Sequence, residues 1–173
     1  KSNLSLTVYE LVCLGRSPHK EWWELDLDEN DHLEVERSIA LTDMTSLKDI
    51  PLERLSGGQR QRAFLSLALA QDAKTLLLDE PTTFLDLRYQ LQFLDLLKRL
   101  NKEEGLSIIT VIHDINLAAR YCDRIAVIKD GELLAIDKPR DVLTKELLIK
   151  AFQVETCQIE TPIGLQICTI KSS

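Results

Sequence analysis

Three short segments hold residues whose types and spacing suit phosphate chemistry. The first is Leu55-Ser56-Gly57-Gly58-Gln59. Ser56 and Gln59 fit the Ser-x-x-Gln capping box, which ties down two backbone N–H groups at a helix start. Gly57 and Gly58 let a ligand approach the backbone closely, and the free N–H groups and helix dipole there favour an anion such as phosphate. The same pattern also makes an ordinary helix cap. The second segment is Leu76-Leu77-Leu78-Asp79-Glu80-Pro81, an apolar run that ends in two adjacent carboxylates. Ligands of open α/β sheets sit at the carboxyl ends of strands. Successive strand residues point to opposite faces, so the two carboxylates have different jobs. Asp79 suits Mg²⁺, a hard cation that takes oxygen ligands. Glu80 suits orienting or deprotonating water. A solvated strand end is the plainer alternative. The third is His113, which closes the next apolar run just before Asp114. It is expected at the same sheet edge as Glu80, where it suits a sensor of a terminal phosphate, the alternative being a hydrogen-bonded structural histidine.

Other candidates fail on spacing. Asp26, Asp28 and Asn30 imitate the start of a calcium loop, but Asp31 stands where glycine is needed and Arg37 where glutamate is needed. Cysteines 13, 122, 157 and 168 form no C-x-x-C, and histidines 19, 32 and 113 supply no zinc spacing. The thiols are read as reduced and cytosolic, each a small apolar residue.

The elements that position these residues follow from periodicity and punctuation. Residues 7–14 read as a short helix that ends at Gly15, with Pro18 blocking continuation. Residues 20–31 are acidic and loop-like and contain Trp22 and Trp23, and 32–44 form a helix that Pro51 keeps from extending. The run 57–70 becomes apolar nearly all round, the mark of a buried helix. Residues 75–79 and 107–112 read as buried strands. Between them, 86–104 is helical, with Leu87, Leu91, Leu94 and Leu97 on one side and Gly105 as its stop. Asp114 caps a helix through Tyr121. Asp130-Gly131 joins strands 124–129 and 132–137 in a hairpin. Thr144 caps a helix to about Phe152. In the tail 154–170, a two-residue turn would set Cys157 opposite Cys168 but also Ile159 opposite Gln166. A bulge at Gly164 would pair Ile159 with Ile167, and matching of faces favours the bulge, so no disulfide is expected. Strands alternating with helices give an α/β fold with a parallel sheet. Residues 1–54 form a helical subdomain, 55–152 the core and 153–173 a hairpin tail.

The composition fits this reading. The chain has 173 residues, 45 % of them apolar and 28 % charged, a globular balance at about one domain. No apolar run approaches ~18 residues, so none spans a bilayer, and no basic, apolar, small-residue series marks a secretory signal in these residues. The net charge of −7 disfavours nucleic acid, whose binding needs clustered cations. It does not disfavour a nucleotide, for which a few N–H groups and one metal suffice.

Taken in series, these motifs resemble the nucleotide-binding domain of ABC transporters. LSGGQ at 55–59 resembles the family signature, 76–80 the Walker B strand with its catalytic glutamate, Phe84-Leu85-Asp86 the D-loop and His113 the switch histidine. The segments LGRSPH at 14–19, EPTTFLD at 80–86 and HDINLAAR at 113–120 look like the ATPases of iron–siderophore, haem and cobalamin importers. The resemblance implies a P-loop NTPase fold, with ATP and Mg²⁺ as cofactors and a cytoplasmic place on the inner face of the membrane. Its implied partners are a second ABC ATPase domain in a homodimer and membrane permease subunits. Asp79 would hold Mg²⁺, Glu80 and His113 would be catalytic, and Asp86 would couple the two sites. Ser56, Gly57, Gly58 and Gln59 would close over ATP held by the other copy. Residues 7–54 would dock the permease, with Trp22 and Trp23 marking that surface. The alternatives are a non-transport ABC ATPase of DNA repair or translation, and a non-catalytic binding module.

One departure stands out. No G-x-x-x-x-G-K-S/T occurs; the six glycines are 15, 57, 58, 105, 131 and 164. No glutamine precedes Gln59, so the family's Q-loop is missing as well. The chain begins at Lys1, which reads as a cut or processed start with the phosphate-loop part absent. That loop supplies most donors to the β and γ phosphates. The chain alone is therefore expected to be inactive, and to dimerise, swap elements or be marginally stable, because its parallel strands lack neighbours.

Overall fold

The computed structural model describes residues 5–19 and 26–172; Trp22 and Trp23 lie outside the described residues. The chain divides by packing into two units, Lys1–Val111 and Ile112–Ser173. The motif-based boundaries at 54 and 152 divide it by content instead.

The first unit opens with α1 (Val8–Cys13). Thr7 caps it in a full capping box with Glu10, a signal the sequence reading passed over. The chain does not stop at Gly15: a 3-10 turn runs over Leu14–His19 with Pro18 inside it. Gly15 is required there, since a Cβ on it would lie 2.5 Å from the Leu67 carbonyl oxygen. Helix α2 (Glu29–Leu41) starts three residues before the expected position, because Asp28 and Asp31 build a capping box. Helix α3 (Gly57–Ala70) has the expected bounds but is not buried all round. Phe64 is 49 % exposed, while Ala63, Leu65, Ser66, Leu69 and Ala70 face inward.

These three helices enclose Val8, Leu11, Val12, Val35, Ile39, Met44, Leu55 and Ala63. A buried ion pair locks them together. Arg16 Nε donates to Asp31 Oδ1 at 2.9 Å, and Arg16 Nη1 donates to the Ala70 carbonyl at 2.7 Å.

The rest of the unit is one βαβ crossover. Strand β1 (Thr75–Leu78) pairs in parallel with β2 (Ser107–Thr110), with Leu76 opposite Ile108. The connection is α4 (Leu87–Glu104), which ends at Gly105 in a left-handed conformation at φ 67°. Its inward stripe is Phe93, Leu94, Leu97 and Leu100, whereas Leu87, expected in that stripe, lies in the first turn and is exposed. Neither strand is buried on both faces as the sequence suggested. Leu76 is buried, but Leu77 is 74 % and Ile109 63 % exposed. With only two strands paired, one face of each strand has no cover among the described residues.

The second unit packs α5 (Ile115–Tyr121), the hairpin β3 (Ile125–Lys129)–β4 (Glu132–Asp137), α6 (Pro139–Val142), α7 (Lys145–Phe152) and the hairpin β5 (Val154–Thr161)–β6 (Gly164–Ser172). Asp130 and Gly131 both have positive φ, as a tight two-residue hairpin turn requires. Val127, Val142, Leu143, Leu148, Leu165 and Ile167 form its core.

The tail register differs from the expected one. Pro162-Ile163 makes a two-residue turn, Thr161 pairs with Gly164, and the bulge falls between Glu155 and Thr156. Ile159 faces Gln166 and is exposed; Cys157 faces Cys168. The apolar pairing lost by this register is replaced by polar contacts on the inward face. Gln158 donates to the Leu143 carbonyl, and the Asn116 side-chain amide bonds both the N–H and the carbonyl of Ile167. Asn116 thus stands in for a neighbouring strand.

Two outcomes follow. Arg16→Met removes the guanidinium from the buried Asp31 carboxylate and the Ala70 carbonyl and lowers unfolding stability by about 3–5 kcal/mol in denaturant titration. The chain self-associates through the uncovered β1–β2 face, and Leu77→Lys with Ile109→Lys shifts it toward monomer in light scattering. A monomer at all concentrations before substitution contradicts the second.

Candidate functional site

The segment 55–59 is built from both sides of the α3 start. Leu55 is buried in the three-helix core and fixes the chain just before the helix. Ser56 Oγ accepts from Gln59 N at 3.3 Å, and Gln59 Oε1 accepts from Ser56 N at 2.9 Å, so the expected capping box is formed. Ser56 and Gly57 are exposed, and Gly58 and Gln59 half-buried. A Cβ on Gly57 would meet nothing nearer than Leu85 Cδ2 at 3.8 Å, and one on Gly58 nothing nearer than the Tyr89 ring at 3.4 Å. Packing therefore does not demand glycine at 57. The open backbone that glycine leaves at this helix start fits an anion approaching from outside.

The segment 79–86 runs from the end of β1 to the start of α4. Asp79 is exposed and Glu80 half-buried, so the two carboxylates are not sealed in an interior. The chain turns sharply here. Glu80 has φ 45° and Phe84 φ 69°, left-handed values that cost a non-glycine residue about 1–3 kcal/mol and gather at functional sites. Backbone bonds from Thr83 N to Glu80 O and from Leu85 N to Thr82 O hold the turn. Pro81 and Thr82 are buried beneath it. The Glu80 carboxylate is held in place: Thr83 Oγ1 donates to its Oε2 at 2.9 Å. Asp86 is exposed and caps α4, its Oδ1 accepting from Tyr89 N at 3.1 Å.

The structure thus brings the 55–59 turn against Leu85 and Tyr89, and carries Asp79, Glu80 and Asp86 on one continuous loop of the same unit. His113 belongs to the second unit, is exposed, and directly precedes the Asp114 cap of α5. Asp114 Oδ1 accepts from Asn116 N and Leu117 N. Sequence reasoning singled out neither Thr83 nor Tyr89. Their signals are a hydroxyl three residues after the acidic pair and an aromatic one turn into the capped helix.

These features, a parallel βαβ unit with acidic residues at a strand end and a glycine helix start on a helical lobe, are of the kind that α/β phosphate-binding proteins use. The comparisons agree. Residues 3–83 match the ABC transporter family. The petrobactin import ATP-binding protein FpuD of Bacillus anthracis is 44 % identical over 165 residues, 94 % of this chain and 60 % of that protein. The ferric enterobactin transport ATP-binding protein FepC of Escherichia coli is 37 % identical over 92 % of this chain and 58 % of that protein. An ABC transporter assigned to the metal-chelate type, solved in an inward-facing conformation, superposes at a TM-score of 0.86 with 25 % identity, over 98 % of this chain and 68 % of that one. A dimeric bacterial ABC transporter cassette superposes at 0.63 with 32 % identity, over 78 % of this chain and 57 % of that one. Along most of its length the chain is similar to ATP-binding proteins of ABC transporters, and it has part of their P-loop NTPase fold. It spans about 60 % of the length of the curated relatives it matches.

Two glycines separate what the fold needs from what it does not. Gly15→Ala drives a methyl group into the Leu67 carbonyl and lowers the melting temperature by several degrees. Gly57→Ala leaves the melting temperature unchanged or raises it, by at most about 1 kcal/mol of helix propensity. Equal losses in a thermal melt refute this division.

Proposed function

We propose that this chain is the carboxyl-terminal part of the ATP-binding and ATP-hydrolysing subunit of an importer that takes up iron–siderophore or related metal chelates. The observation that carries the reading is the exposed glycine start of α3 beside the loop that holds Glu80. The import function named for the relatives supports the choice of cargo class. The residue roles are those the geometry can serve. Bound Mg²⁺–ATP supplies a terminal phosphoanhydride whose charge is partly neutralised. Asp79, exposed at the strand end, has the hard oxygens that suit Mg²⁺ through water. Glu80, held by Thr83, orients the attacking water and takes its proton. His113 donates a hydrogen bond to the terminal phosphate. Ser56, Gly57, Gly58 and Gln59 present the positive end of α3 to ATP held by a second copy, and Asp86 lies at that junction. The helical residues before 55 dock a membrane permease, which places the protein on the cytoplasmic side of the membrane. This fits a structure in which no helix among the described residues is long and apolar enough to cross a membrane.

The chain holds no phosphate loop and no lysine for the β and γ phosphates. Titrated alone with Mg²⁺–ATP, it shows neither micromolar affinity nor turnover. Fused behind the amino-terminal segment of the 44 % identical relative, it hydrolyses ATP. In that fusion Glu80→Gln lowers kcat by about 10²–10⁴ and leaves nucleotide affinity unchanged. A fusion that binds ATP and keeps its kcat in the Glu80→Gln variant removes Glu80 from the assignment.

A further inference from the structure

We propose that Cys157 and Cys168 form a thiol–disulfide modification site, a cross-strand dithiol that closes to an intrachain disulfide by exchange with a low-molecular-weight disulfide. The inference rests on the tail hairpin alone and is independent of the function proposed above. In the β5–β6 ladder the two cysteines are direct partners. Directly opposed residues share a face of the sheet, with Cα atoms about 4.5–5.5 Å apart. A disulfide needs about 4.4–6.8 Å, so the backbone is already in place. Both cysteines are free and both are exposed.

The register that aligns them is fixed by other groups. The ladder runs without interruption from Thr161–Gly164 to Thr156–Thr169, and its bulge lies beyond that stretch. On the opposite face Thr156, Leu165 and Ile167 are buried. A slip by one residue would turn Leu165 and Ile167 out to solvent. Asn116 also grips the backbone of Ile167, the residue next to Cys168. The two backbone positions are thus held opposite each other whether or not the sulfurs are bonded. An open hollow lined by Thr144, Lys145, Glu146, Thr156 and Ile170 reaches Cys157 and gives an incoming disulfide room to approach. Cys13 has a different setting: it is half-buried on α1, and burial pushes its thiol pKa up, which disfavours the reactive thiolate.

The exchange balances without another reagent. The Cys157 thiolate attacks one sulfur of the small disulfide, forms a mixed disulfide and releases a thiolate that takes up a proton. The Cys168 thiolate then attacks Cys157 Sγ, forms the intrachain bond and expels the second small thiolate. Two protein thiols are oxidised and one disulfide is reduced to two thiols. In a compartment that keeps thiols reduced, such a bond is transient and serves redox sensing.

The test treats the whole chain with glutathione disulfide, quenches in acid, alkylates and maps peptides. Trypsin cuts after Lys150 and Lys171 and leaves both cysteines in one peptide, 151–171. That peptide is expected to lose the mass of two hydrogen atoms and to escape alkylation at both sites. Cleavage after Glu155 and Glu160 should then leave two peptides that separate only on reduction. Cys157→Ser and Cys168→Ser should each trap the remaining cysteine as a stable mixed disulfide with glutathione. Accumulation of two mixed disulfides in the unsubstituted chain overturns the proposal, as does a covalent dimer or a bond to Cys122.

Discussion

The side chain of Arg16 is the constraint on which the placement of the glycine turn depends. Its guanidinium reaches Asp31 at the start of α2 and the Ala70 carbonyl at the end of α3. The Asp31 carboxylate serves two masters: Oδ1 takes Arg16, while Oδ2 takes the backbone N–H of Asp28. Ala70 lies in the last turn of α3, where carbonyls lack helical partners and a cation is favoured. Side-chain exposures of 12 % and 4 % make this a buried pair. Such a pair adds little net stability, since desolvation offsets attraction, but a misplaced partner is costly. It therefore acts on position. The clamp fixes the carboxyl end of α3, Leu55 in the core fixes the approach to its amino end, and Ser56–Gly58 can go to only one place.

The acidic loop is fixed by different means. Its shape is set in the backbone, by two left-handed residues, a pair of turn hydrogen bonds and the Asp86 cap. Thr82 ties the loop to α4 through Gln90 at 3.3 Å. The conformational cost at Glu80 and Phe84 is retained by a frame that leaves the loop no cheaper path. The glycine turn is thus positioned by a core, and the carboxylates by a strained connection.

Much of this was legible in the sequence. Helices α3, α5 and α7 start at Ser56, Asp114 and Thr144 as their caps indicate, because a cap is a local bond between near neighbours. The turn at Asp130-Gly131 was legible for the same reason. What escaped depended on distant partners. Apolar runs at 75–79 and 107–112 look alike whether one or both faces are covered, and coverage is decided elsewhere in the fold. The tail register depended on Asn116, some fifty residues upstream, acting as a strand edge. Matching apolar faces within the hairpin could not foresee that, nor the carbonyl of Leu143 that satisfies Gln158. In the site, residue types were legible from spacing, whereas the Thr83 contact that orients Glu80 depends on a turn geometry no spacing rule supplies.

The division between structural and functional residues can be made on physical grounds. Gly15, Asp31 and Leu55 each answer a demand inside the chain: a close backbone approach, a buried guanidinium, a core position. Gly57 and Asp79 answer none of these, being exposed, and a side chain on Gly57 would meet only ordinary contacts. A glycine in the first turn of a helix that gains nothing from its smallness within the fold gains from what approaches from outside. A carboxylate set in solvent at a strand end, next to a residue held in a left-handed conformation, is likewise aimed at something other than its own chain. In the function proposed above, the two features would meet the same requirement, a charged phosphate and its cation, from opposite signs of charge. The helix start offers donors and positive potential, and the strand end offers oxygens. Gly57 and Asp79, which the fold can do without, are therefore among the residues that the nucleotide reading uses.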